Sequence, residues 1–382
     1  MRKICLLLLL PFFLGCKDKT NLNVNYKKPS ESKLKLVSNS TITFKLSEST
    51  VPSEGVQYYV DKSVAYLIFL NAGNNALDFY DMHSRGYKFS YGFKNILKSA
   101  SGFYVHNMDS IFLYSDPKKE FILSNLKGTI KQFSIKQAAF RHNVLSASPI
   151  INASHPVFVI NGNLIYSGYK FGEVKKVDQL PRYYSASLNL KSGIVTDFNR
   201  YPIIYDNYNW GGRHLRQPYV DYNPKKKIFV SSLPIMHNLI ITDQANYSTT
   251  QIYGGSNNVE NIPPMKDAIT YLSNREDDVK ATAHFYLNDS YRNIIYDRFR
   301  DIYYRVVEYA SEKSKIDDDG AGEKRDAIII LDNDLKIKGE TSLNKGISIW
   351  TYFVSEDGLC LLNTNFNNEN YAVFSVYKIS KN

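Results

Sequence analysis

Between Tyr201 and Tyr219 the chain gathers Tyr205, Tyr208, Trp210, the pair Gly211-Gly212, Arg213, His214 and Arg216. Aromatic faces stack on sugar rings or bases, arginine forks onto carboxylate or phosphate, and paired glycines let the backbone come close to a ligand. The same residues also support a structural reading, with Trp210 plugging the mouth of a channel and the arginines pairing with nearby acids. Arg182-Tyr183-Tyr184, His237 and His284-Phe285 are expected to emerge on the same face. Arg305 lies inside an apolar run, so it either faces a channel or sits in a structural ion pair. The candidate ligand-binding set is therefore Arg182, Tyr183, Tyr208, Trp210, Arg213, His214, Arg216, His237 and Arg305.

The sequence carries no clear metal-binding or catalytic motif. None of the 7 histidines has metal-ligand spacing with another His or Cys, so no metal or other cofactor is expected. Asp317-Asp318-Asp319-Gly320 with Glu323 has the flavour of a calcium loop, but Lys315 stands where the first ligand is needed, and a solvated loop tip fits better. There is no Gly-rich phosphate loop and no Gly-x-Ser-x-Gly elbow. Asp206, Glu260, Glu276, Asp277, Asp278 and Asp289 could be paired for glycoside hydrolysis, yet sequence sets no separation between them, and no catalytic residue is assigned.

The elements that must position the candidates come from a repeat whose clearest copy is Asn293–Leu343. Apolar runs at Asn293–Asp297, Asp301–Val307, Ala327–Asp332 and Ile337–Leu343 alternate with turn residues, the pattern of a four-stranded antiparallel meander. The pattern can be laid down six times from residue 56. The sixth copy (Trp350–Glu356, Gly358–Asn363, Tyr371–Ile379) lacks its fourth strand, and the isolated strand Thr41–Leu46 can supply it. This predicts an all-β, six-bladed β-propeller closed by an N-terminal strand, which leaves no open sheet edge. A seventh blade within 254–289 is the alternative. First strands end in Asp61, Asn107, Asn161, Asn223 and Asp297, and third strands end near Asp81, Asn125, Asp243 and Asp332; these residues are read as turn formers rather than a carboxylate cluster. The first-to-second turns are short, whereas 170–183, 199–217, 254–292 and 312–326 are long and fall on the opposite face, where binding usually resides.

The first residues read as an address. Arg2 and Lys3 precede an apolar run from Cys5 to Leu14 that is too short to span a bilayer, and Gly15-Cys16 follows. The end Phe13-Leu14-Gly15-Cys16 resembles the lipobox of bacterial lipoproteins, with Phe13 where Leu is usual and Leu14 where a small residue is usual. The resemblance implies cleavage before Cys16 and lipidation there, hence a protein exported to the outer membrane or cell surface. Residues 1–15 are then a signal peptide, 16–38 a flexible tether rich in Lys, Asn and Ser, and 39–382 one propeller domain. The net charge of +10 falls by two with Arg2 and Lys3, but basic residues are scattered, so a nucleic-acid groove is not expected. Cys360, in an apolar strand, reads as a small buried hydrophobe rather than a nucleophile.

The lipobox-like start, Asp109-Ser110-Ile111-Phe112-Leu113, and Tyr296-Asp297 with Arg300 and Tyr303-Tyr304-Arg305 resemble the DUF4221 family of bacterial lipoproteins. The resemblance covers essentially the whole mature chain and implies an exported, propeller-like protein without an established activity. Three functions are compatible with these residues. The first is a membrane-anchored, monomeric, non-enzymatic propeller that binds a glycan or an envelope protein through its long-loop face. The second is a hydrolase or lyase acting on an acidic polysaccharide, with Arg213 or Arg182 neutralising a uronate and His214 moving protons. The third is a structural subunit of an outer-membrane assembly.

Overall fold

The computed structural model describes Lys27 and residues 33–47, 50–51, 53–139, 143–169, 180–266, 275–366 and 368–381. The expected signal peptide, Cys16 and nearly all of the tether up to residue 32 lie outside the described residues. Six four-stranded antiparallel sheets form the six blades of a β-propeller. After β1 (Leu34–Lys45), blade 1 holds β2 (Val56–Asp61), β3 (Val64–Asn71), β4 (Ala76–Asp81) and β5 (Tyr87–Gly92). Blade 2 holds β6 (Gly102–Asn107), β7 (Ser110–Ser115), β8 (Glu120–Asn125) and β9 (Gly128–Ser134), and a one-turn helix α1 (Lys136–Ala139) follows. Blade 3 holds β10 (Phe158–Ile160), β11 (Asn163–Ser167), β12 (Tyr183–Asn189) and β13 (Val195–Arg200), with helix α2 (Ile204–Asn207) after it. Blade 4 holds β14 (Tyr219–Asn223), β15 (Ile228–Ser232), β16 (Asn238–Asp243) and β17 (Thr249–Tyr253). Helix α3 (Arg275–Tyr286) precedes blade 5, which holds β18 (Ser290–Asp297), β19 (Ile302–Tyr309), β20 (Arg325–Leu331) and β21 (Ile337–Ser342). Blade 6 holds β22 (Ile347–Ser355), β23 (Gly358–Asn363) and β24 (Tyr371–Lys381), with β1 outermost.

Asx turns set these hairpins. Asn107, Asn223 and Asp297 each accept backbone N–H bonds two or three residues on, to Asp109, to Lys225 and Lys226, and to Phe299 and Arg300. Asp81, Asn125, Asp243 and Asp332 do the same after the third strands. A short side-chain acceptor satisfies turn amides that would otherwise point at nothing. In blade 5 the turn also locks blades together. Asp297 binds Arg300 at 2.9 Å and accepts from the Tyr304 hydroxyl at 3.1 Å, while Arg300 reaches the carbonyls of Ser355 and Glu356 in blade 6.

The closing strand is longer than its sequence pattern. β1 pairs with β24 from Leu34 opposite Lys381 to Lys45 opposite Tyr371, so residues 34–38, expected in the tether, are strand. A register shift between Ser38 and Ser40 interrupts the alternation of buried and exposed side chains, which hid the first half. Leu36 is nonetheless buried, and its N–H donates to Thr341 of blade 5 at 2.8 Å. Gly339 makes this passage possible, because a Cβ there would lie 1.8 Å from the Leu34 carbonyl oxygen. The described residues of 254–289 contribute α3 rather than a seventh blade. Glu276, Asp277 and Asp278 in its first turn suit the positive end of a helix dipole, and Ala281 and Phe285, one turn apart, are its buried residues.

Apolar residues of adjacent blades interlock in the wedges between them, as where Phe44, Leu67, Tyr80 and Phe374 meet across the closing seam. Each such side chain contributes about 1.5–3 kcal/mol by leaving water. Cys360 is buried in this seam, and burial pushes its thiol up to about 12. Among the described residues no helix is long and apolar enough to cross a membrane.

Candidate functional site

Most of the aromatic–arginine loop is framework. Trp210 is 1% exposed, packs among the core residues around Tyr205 and Leu215, and donates its indole N–H to the Ile204 carbonyl at 2.9 Å. Arg216 is buried with its guanidinium toward the Tyr205 carbonyl, and its own carbonyl accepts from the Tyr201 hydroxyl. Arg182 is buried beside Asp206 at 3.8 Å. His237 is buried between the Tyr291 hydroxyl and the Glu260 carbonyl, and burial pushes it down to about 4. Tyr183 and Tyr208 are half-buried, the latter edge-on to Trp210.

Arg305 is fully buried, and among the described residues it has no ion-pair partner. Its guanidinium donates to the carbonyls of Met236, His237 and Gly254 and to the Ser232 hydroxyl, and lies over the Tyr291 ring. The expected carboxylate partner is replaced by three backbone acceptors where blade 4 turns toward blade 5. Of the nine candidates, Arg213 and His214 line two cavities on the long-loop face, and Trp210, although 1% exposed, borders the smaller of them.

Two clefts on this face meet at Trp350, which lies within the register shift between Ser348 and Tyr352 in β22, the innermost strand of blade 6. On one side lies a cleft of ≈ 1190 Å³ whose walls include Asp289, Tyr309, Lys324, Asp326 and Asn365. On the other lies a cleft of ≈ 960 Å³ whose walls include Glu54, Tyr114, Asp116, Arg213 and His214. Trp350 is half-buried and lines both. The His214 ring stacks on Phe285 of α3 with centroids 4.5 Å apart, so the helix that sequence did not reveal holds this part of the rim.

Beneath Trp350 is a buried charged cluster that sequence did not single out. The Arg292 guanidinium lies 3.1 Å from the Trp350 ring centroid and donates one N–H to Glu308 at 3.2 Å. Its Nε and Nη2 are buried without a hydrogen-bond partner among the described residues. Strand register puts Ser290, Glu308 and Asp326 side by side across β18, β19 and β20, and such neighbours have Cβ atoms about 4.5–5.5 Å apart. Glu308 accepts from Ser290 at 2.9 Å and lies 3.9 Å from the Lys324 ammonium, which donates to Ser290 and rests over Phe285.

Burial dominates the electrostatics of this cluster. Burial, reinforced by the adjacent Glu308, pushes Asp326 up to about 7. Burial likewise raises Asp289 and lowers Lys324 to about 8. His214 falls to about 4 through burial and the nearby Arg213 and Arg292, so it is neutral at pH 7. Arg292 is held cationic because Glu308, Tyr219 and Asp326 outweigh the effect of its burial. Among the described residues no three His, Cys, Asp or Glu side chains form a group able to hold a metal ion. The cleft thus offers a broad aromatic surface bordered by carboxyl and amide acceptors and by ammonium and guanidinium donors.

The fold has solved relatives. A member of the DUF4221 family from Bacteroides vulgatus superimposes with a TM-score of 0.78 at 21% identity, covering 92% of this chain and 100% of that one. A protein from Bacteroides fragilis described as exported gives a TM-score of 0.51 at 10% identity, covering 94% and 99%. Among curated proteins none matches the chain. The DUF4221 profile, a domain of unknown function, matches residues 33–342, which is most of the propeller, and the chain belongs to that family.

Proposed function

We propose that this protein is an exported, lipid-anchored propeller that binds a glycan on its long-loop face, across Trp350. The observation that carries the reading is the position of Trp350 between two clefts, with sugar-compatible polar groups on either side. A pyranose presents a C–H face that packs on an aromatic ring, and a rim of hydroxyls that needs acceptors and donors together. Asp289, Asp326 and Asn365 supply the first, and Lys324 and Arg213 supply the second. Export is supported by the apolar N-terminal run and by the exported neighbour from Bacteroides fragilis. The outer-membrane address and the anchor at Cys16 rest on Gly15-Cys16 alone.

The test is an array of neutral and acidic glycans probed with the purified protein, followed by calorimetry on any positive. Trp350→Ala should abolish binding while the melting profile stays cooperative, and Trp210→Phe should leave binding intact. Retained binding in Trp350→Ala refutes the site.

A hydrolytic reading is favoured by one observation, the neighbouring carboxyls of Glu308 and Asp326, of which Asp326 lines the cleft and holds its proton near neutrality. Release of reducing ends from a bound glycan, lost in Asp326→Asn, would establish it.

A further inference from the structure

The opposite end of the propeller axis holds a second cavity, of ≈ 460 Å³, with a different character. All six innermost strands contribute to it. Its wall is largely aromatic: Tyr58 of blade 1, Tyr104 of blade 2, Phe158 of blade 3, Tyr222 of blade 4 and Phe353 of blade 6. Tyr58 and Phe353 stack with planes 3° apart, and Phe158 and Tyr222 lie 5.6 Å apart. Set into this wall is one carboxylate, Asp221 of β14. Its oxygens accept the N–H groups of Tyr222 at 2.7 Å and Tyr296 at 2.6 Å, which fixes its orientation. Among the described residues no cation lies within ion-pair distance of it. Arg298 is exposed at the rim, over Tyr58 and Phe299, and acts on Asp221 only weakly.

We infer that this short-turn mouth is a binding site for an organic ammonium ion, separate from the loop-face cleft. A carboxylate held in an apolar wall without a counter-charge is costly, and a cationic guest removes that cost. Aromatic faces carry negative potential at their centres and attract the same guest. An anion would be repelled by Asp221, and a hard metal ion would find too few oxygen ligands. The volume is that of a small-molecule site. Burial has already pushed the Asp221 carboxyl up to about 7, in keeping with a charge that lacks its partner. The inference does not depend on glycan binding at Trp350: Gly55, Ile151 and Asn152 border both this cavity and the ≈ 960 Å³ cleft, but Asp221 and its aromatic wall line neither loop-face cleft, and Trp350 does not line this cavity.

The experiment titrates the purified protein with tetramethylammonium and with butylammonium, using the uncharged tert-butanol as the control, and follows binding by calorimetry and aromatic NMR signals. Saturable one-to-one binding of the cations and none of the alcohol is expected. Asp221→Asn, which preserves shape, should weaken it about tenfold or more because the direct charge pairing is lost. Tyr104→Leu, which removes one aromatic wall and leaves Asp221, should also weaken it. Arg298→Ala should leave it unchanged or tighten it, and Trp350→Ala should leave it unchanged. Equal binding of the alcohol, undiminished binding in folded Asp221→Asn and Tyr104→Leu, or no saturable binding by either cation would overturn the assignment.

Discussion

Replacing Arg305 by methionine separates a structural arginine from a ligand-binding one. The side chain is fully buried and makes four hydrogen bonds, three of them to the carbonyls of Met236, His237 and Gly254. Hydrogen bonds to a charged group contribute at least about 1.5 kcal/mol each, so the set contributes about 6 kcal/mol. Against that stands the cost of burying the charge, visible in a guanidinium lowered by burial to about 10. A shift of this size corresponds to about 3 kcal/mol, which methionine relieves. The net loss is therefore about 3 kcal/mol, to be compared with a total stability of about 5–15 kcal/mol. In urea denaturation with a slope of about 3 kcal/mol per molar, the midpoint should fall by about 1 M. Ligand binding at the loop face, measured below that midpoint, should be unchanged. If Arg305→Met is as stable as the parent and instead loses ligand, the assignment of Arg305 to the framework is wrong.

The remaining expectations follow from single residues. His155 is fully buried, its Nδ1 near Asn152 and its Nε2 near Gln217, and burial pushes it down to about 3. The unfolded chain therefore takes up its proton first, stability is present above about 6.5 and is lost as pH falls toward 3, and His155→Gln should flatten the acid limb of unfolding free energy against pH, measured by urea denaturation, by up to about 1.4 kcal/mol per pH unit. Asp297→Ala removes the acceptor for Arg300, Tyr304 and two turn amides and should cost about 3 kcal/mol or more in chemical denaturation. Gly339→Ala should lift the start of the closing strand off blade 5, seen as faster proteolysis within 34–38. Cys360, buried with its thiol raised to about 12, should resist maleimide at pH 8 in the native protein and react in denaturant, as read by peptide mapping.

The blades were legible because their signal is local. Most hairpins carry an Asx residue at the strand end, and all but the closing strand keep most of their expected bounds. The start of β1 was not legible, since a register shift around Ser38–Ser40 breaks the period on which the reading relied. Helix α3 was hidden by its charge: Arg275, Glu276, Asp277 and Asp278 read as loop, and only Ala281 and Phe285 are buried in it. The site was half legible. Arg213 and His214 line cavities on the long-loop face where sequence put them, but Trp210 and Trp350 are indistinguishable by residue type, and only packing shows that the first is 1% exposed core and the second lines both large clefts. The cluster beneath Trp350 depends on cross-strand register, which brings together residues as distant in sequence as Arg292, Glu308 and Asp326. One signal was available for Arg292: like Arg305, it is an arginine within an inner blade 5 strand, and such a residue must be either satisfied or used.

The chain contains two tryptophans, and this makes the central claim directly measurable. Trp210→Phe leaves Trp350 as the reporter of the cleft, and Trp350→Phe leaves Trp210 as the reporter of the core. Titrating a glycan identified on the array should change the fluorescence of the Trp210→Phe protein saturably, with the affinity found by calorimetry, and should leave Trp350→Phe silent. A response from Trp210 with none from Trp350, while calorimetry shows binding, would contradict the placement of the ligand across Trp350.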